Sequence, residues 1–177
     1  MRVLTKSEAE SWLPRASVKR DKNGDLGFPH GKNLTIRMPL PEKTYRIASL
    51  ANFLLTGFHG SPFNGGLMWL TDWGMWSEVC EQAAYKMFEL MRQPYDESRP
   101  LIEAPAHLFT REEKVAAQSF LILPILFGWD AYFIPESGRH FAFTSNDEFI
   151  DVVSNDDETH ANMLSVLKET WGGKDIS

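Results

Sequence analysis

Three short segments in the last third of the chain constrain the fold most. Residues 130–134 (DAYFI), 140–144 (HFAFT) and 148–153 (EFIDVV) are rich in β-branched and aromatic side chains and are bounded by turn formers. Glu136-Ser137-Gly138-Arg139 separates the first two, and Ser145-Asn146-Asp147 separates the second two. Connections this short join antiparallel neighbours, because a parallel crossover needs a dozen residues or more. A three-stranded meander is the expectation. It then has to be covered by something apolar.

The cover is written in helical periods. Ile47, Leu50, Ala51, Leu54 and Leu55 recur at helical spacing, with Gly57 as the stop. Residues 78–93 place Val79, Cys80, Ala83, Ala84, Met87, Phe88, Leu90 and Met91 on one wide apolar face, with Ser77 as N-cap and Pro94 as terminator. Thr5 to Glu8 and Thr110 to Glu113 both read T-x-x-E, a capping box. The first opens a short helix ended by Pro14. The second opens a helix in which Pro124 is expected to kink or break the run. A last helix, capped by Asn155 with Glu158, carries His160, Met163, Leu164, Leu167 and Trp171 inward and stops at Gly172-Gly173. Residues 33–38 (NLTIRM) alternate as a half-buried strand, and 66–71 (GLMWLT) read as a buried one. Residues 95–108 hold two prolines and no period, and read as a long surface loop. The expected class is α+β: one domain over residues 1–177 with four to five helices on an antiparallel sheet, a mixed arrangement staying open outside the meander.

Composition narrows the function by exclusion. A formal charge of −6 argues against general binding to nucleic-acid phosphates. The longest apolar run, residues 120–127, is far short of a membrane span. One cysteine, Cys80, excludes an internal disulfide, and the first residues lack the apolar core of a signal peptide, so a cytoplasmic setting is expected.

Residues 57–78 concentrate five of the twelve glycines with Trp69, Trp73 and Trp76. Such a stretch is either a buried crossing or the wall of a site. The ligand-binding candidates are His59, Asn64, Asp72 and Trp73, together with Arg139 at a hairpin tip beside His140. Asp72 is notable because an acid among aromatics must be paired or shifted in pKa if it is enclosed.

Chemical motifs are incomplete. Asp21, Asn23 and Asp25 match the start of a calcium loop, but Leu26 and Lys32 stand where a glycine and a glutamate belong. A polar hairpin turn at Asn23-Gly24 is the plainer reading. Asp156, Asp157 and His160 share a helix face without a second histidine at ligand spacing. His59-Gly60-Ser61 lacks the glycine spacing of a nucleophile elbow. No metal and no cofactor is expected. The leading expectation is a non-catalytic binding module, regulatory or inhibitory, that uses the aromatic-glycine loop and an acidic surface toward a protein or small-molecule partner. The rival is a small hydrolase using His59, Ser61 and Asp72, with His107 or Arg139 brought in by the fold. A third reading is a structural subunit of a homo-oligomer.

Overall fold

The structure, a computed structural model, describes residues 1–58, 62–73 and 78–171, with the backbone alone for 78–81. A seven-stranded sheet runs through it. Its strands are β1 (Arg2–Leu4), β4 (Leu34–Pro39), β5 (Gly65–Asp72), β6 (Ala106–Thr110), β7 (Asp130–Pro135), β8 (His140–Thr144) and β9 (Phe149–Ser154). Their spatial order is β1-β6-β5-β7-β8-β9-β4, and every adjacent pair is antiparallel. A separate two-stranded hairpin pairs β2 (Lys19–Arg20) with β3 (Leu26–Gly27). The fold is α+β, and the C-terminal meander β7-β8-β9 is present.

The two sheet faces bury different sets of side chains. One face packs Ile36, Met38, Met68, Leu70, Phe133 and Val152 against four helices. These are α2 (Thr44–Thr56), α3 (Glu78–Arg92), α4 (Lys114–Phe127) and α5 (Asp157–Trp171). The other face packs Leu67, Trp69, Ile134, Phe141 and Val153 under α1 (Lys6–Trp12), the turn that follows it, and Phe28. Trp69 is therefore core, with the Arg20 guanidinium 4.7 Å from its ring centre. Phe58 and Phe63 are core as well.

Local signals act as their chemistry requires. Both capping boxes form: Thr5 with Glu8 opens α1, and Thr110 with Glu113 opens a 3-10 turn leading into α4. Asp21 Oδ1 accepts the N–H groups of Asn23 at 2.7 Å and Asp25 at 3.0 Å, so the calcium-like sequence is a self-bonded hairpin turn.

Several expectations are corrected. Residues 95–108 are not all loop, because β6 begins at Ala106 and pairs with both β1 and β5. Pro124 does not break α4, which runs on to Phe127. Pro124 lies one turn from the helix end, and its carbonyl accepts the N–H groups of Gly128 and Trp129. The cap of α5 is Asp156, whose carboxylate accepts the Thr159 N–H at 2.8 Å. Asn155 instead donates its side-chain amide to the Gly138 carbonyl at 2.9 Å. His160 is half-buried, and its Nδ1 has no hydrogen-bond partner among the described residues. The apolar face of α3 is narrower than the sequence suggests: Ala84, Phe88 and Arg92 are buried, whereas Met87 and Leu90 are 39% and 50% exposed. The proposed helix stop at Gly172-Gly173 and the Ser77 cap lie outside the described residues.

The turn between β7 and β8 depends on Gly138. Its φ is +65°, and a Cβ there would stand 2.8 Å from the Ala16 carbonyl oxygen. Gly138→Ala combines a disfavoured dihedral with a backbone clash and is expected to destabilise the fold by about 2 kcal/mol. Urea unfolding followed by tryptophan fluorescence measures this.

Candidate functional site

The strands end at two rims, and the sequence candidates divide between them. At one rim, Asn64 precedes β5 and Arg139 precedes β8, and both line one cleft of about 370 Å³. The end of α2 at Thr56 and Gly57 forms one wall, and Thr159 of α5 forms another. Asp72 ends β5 at the opposite rim and Trp73 follows it, roughly 25 Å away at about 3.3 Å per residue. The structure therefore brings Asn64 and Arg139 together and holds Asp72 and Trp73 apart from them. His59, Ser61 and Trp76 lie outside the described residues.

His140 is the cleft residue with the most defined geometry. It is 1% exposed, and its Nε2 is 3.0 Å from the Leu54 carbonyl oxygen. A carbonyl only accepts, so Nε2 carries the proton. The ring also meets Phe58 edge-on at 6.0 Å. It therefore sits inside the cleft wall, where the sequence suggested a hairpin rim. Gly57 lies against this ring. Its φ of +63° ends α2, and a Cβ there would lie 3.7 Å from His140 Cε1.

Charge in the cleft is one-sided. Arg139 is exposed and makes no ion pair among the described residues. No carboxylate is among the cleft's described lining residues. Two acids stand near the lining: Glu136, whose Oε2 is 3.1 Å from where a Cβ on Gly65 would lie, and Asp156, which the Thr159 N–H and hydroxyl hold below the usual carboxylate range, with a smaller contribution from Arg139. Thr159 and His140 enter the site without a strong sequence signal. Thr159 occupies the first turn of a helix, and a buried histidine at a strand start looks like any other.

At the opposite rim Asp72 faces Asp130 across a bulge in β5. Burial raises the Asp130 pKa, the Asn146 N–H opposes this at 2.7 Å, and the charges of Asp72 and Asp147 add to the rise. Trp73 is half-buried against the helix-side core. Among the described residues, no group of three or more His, Cys, Asp or Glu side chains is placed to hold a metal ion. No described helix is long and apolar enough to cross a membrane.

His107, a candidate partner of the hydrolase reading, is in neither rim. It is wholly buried between Phe88 and Phe120, with ring centres 5.1 and 5.4 Å away. Neither ring nitrogen makes a hydrogen bond of ordinary geometry among the described residues, although the Pro105 carbonyl lies close enough to favour the protonated form slightly. Burial, helped by the charge of Arg92, lowers its pKa to about 3. A site at the surface cannot use this ring.

Compared with protein-family models, curated proteins and solved structures, the chain matches none.

The neutral His107 has a measurable consequence. Its pKa is near 6.5 when unfolded and about 3 when folded, so below pH 6.5 the unfolded state binds the extra proton. Stability is unaffected by this group above that pH and falls progressively as pH drops from 6.5 toward 3. At pH 5 the loss relative to pH 7.5 is about 2 kcal/mol. His107→Leu is expected to flatten this slope in urea titrations at the two pH values.

Proposed function

We propose that this protein is a non-catalytic binding module, regulatory or inhibitory in type, whose ligand seats in the cleft between α2, α5 and the turn joining β7 to β8. The observation that carries the reading is the one-sided charge of that cleft: Arg139 is the only residue of formal charge among its described lining. A ligand with an anionic group suits it, the charge meeting Arg139 while Asn64 and Ser137 supply hydrogen bonds. The volume of about 370 Å³ suits a small molecule or one anchoring side chain of a peptide.

Titration with acetate, succinate and citrate, followed by amide chemical shifts, tests this. Saturable shifts clustered at residues 56–57, 64, 137 and 159 are expected, and Arg139→Gln is expected to weaken binding about tenfold. Shifts scattered over the surface, or unchanged in Arg139→Gln, would remove the reading.

The homo-oligomer reading is supported by a different observation, the exposed Met87 and Leu90 on α3. It predicts a dimer or larger species in sedimentation that Leu90→Asp converts to monomer. A monomer at every concentration would rule it out.

A further inference from the structure

A charged side chain sits in the α3 core stripe without an ion-pair partner among the described residues. Arg92 follows Ala84 and Phe88 at four-residue steps and is 1% exposed. Its Nη2 donates to the Ala104 carbonyl at 3.1 Å, and its Nε has no partner among the described residues. Buried charges in proteins are paired as a rule, because an uncompensated one is costly. The position at the end of α3 helps, since a helix C-terminus favours a cation. It does not supply the missing hydrogen bonds.

The neighbouring acids are already committed. Glu97 accepts Arg99 Nε at 2.9 Å, Arg99 Nη2 at 2.6 Å and the Arg99 backbone N–H at 2.7 Å. Glu89 pairs with Lys86 at 3.3 Å. Within the pocket lining Lys86, Arg92 and Arg99 stand against two glutamates, whose hydrogen bonds go to Lys86 and Arg99 and not to the buried Arg92. These five side chains line a single pocket of about 230 Å³. The loop is held in place. Asp96 turns the chain at φ +57°, Arg99 donates to the Val3 carbonyl at 3.1 Å, and the Leu101 N–H meets the Tyr85 hydroxyl at 3.3 Å.

We infer that this pocket is a second binding site, independent of the cleft at Arg139, which takes a small oxyanion as the counter-charge of Arg92. A planar guanidinium with free N–H donors suits tetrahedral and planar oxyanions alike, and Lys86 stands at the rim as a second cation. The volume accommodates a phosphate, sulfate or short carboxylate group and leaves the rest of a larger ligand outside.

Thermal unfolding of the full chain, titrated with phosphate, sulfate or acetate at constant ionic strength against sodium chloride, tests the site. The expected result is a saturable rise in Tm with at least one of the three, phosphate and sulfate distinguishing a tetrahedral preference from the planar one reported by acetate. Arg92→Met is expected to weaken the response at least about tenfold, and the rim substitution Lys86→Glu several-fold. Arg139→Gln is expected to leave it intact. If Arg92→Met does not fold, Lys86→Glu carries the test. No rise beyond that of chloride, a full response in Arg92→Met or Lys86→Glu, or a response lost in Arg139→Gln would each overturn the inference.

Discussion

The structure hangs on β5 being buried on both faces. Residues 65–70 of this strand are all buried. Met68 and Leu70 enter the helix-side core, while Leu67 and Trp69 enter the other. The strand pairs with β6 on one side and β7 on the other, so it ties the β1-β6 pair to the C-terminal meander. Its two leading glycines allow this approach: a Cβ at Gly65 would lie 2.8 Å from the Phe109 carbonyl oxygen, and one at Gly66 would lie 3.0 Å from that of Ile134. Much of the aromatic-glycine stretch is therefore structural, and its polar candidates are pushed to the strand's two ends.

That division explains why the site reads differently from the fold. Asn64 and Asp72 are eight positions apart in sequence, close enough to suggest one constellation. An extended strand turns those eight positions into its whole length. Arg139, distant in sequence, returns to Asn64 because the meander turn lies beside the start of β5, where Gly66 pairs with Pro135. Proximity along the chain misleads wherever a strand intervenes, and pairing register decides what meets.

The legible parts are those whose signals are local. Alternation with short turns marked β7, β8 and β9, and side-chain caps marked the starts of α1 and of the turn before α4. β1 and β6 were illegible because they are short and pair across about a hundred residues, Val3 with His107. Their stability comes from non-local partners rather than from their own pattern. The α3 face was misjudged for a related reason. Periodicity ranked Met87 and Leu90 as core and could not foresee that an arginine would take the buried position beyond Phe88.

That arginine and His107 form one electrostatic unit inside the helix-side layer. Arg92 brings a positive charge near a ring that burial already disfavours protonating, so its charge is the second cause of the low His107 pKa. Glu97 opposes both effects: it favours the charged form of Arg92 and of His107, while Arg99 holds its own carboxyl down at about 2. The balance therefore depends on how much negative charge stands near Arg92. A counter-anion in the adjoining pocket would remove part of the force that keeps His107 neutral and leave the desolvation cost, the larger cause, in place. Occupancy of the proposed anion site and protonation of His107 would then be linked through the Arg92 guanidinium.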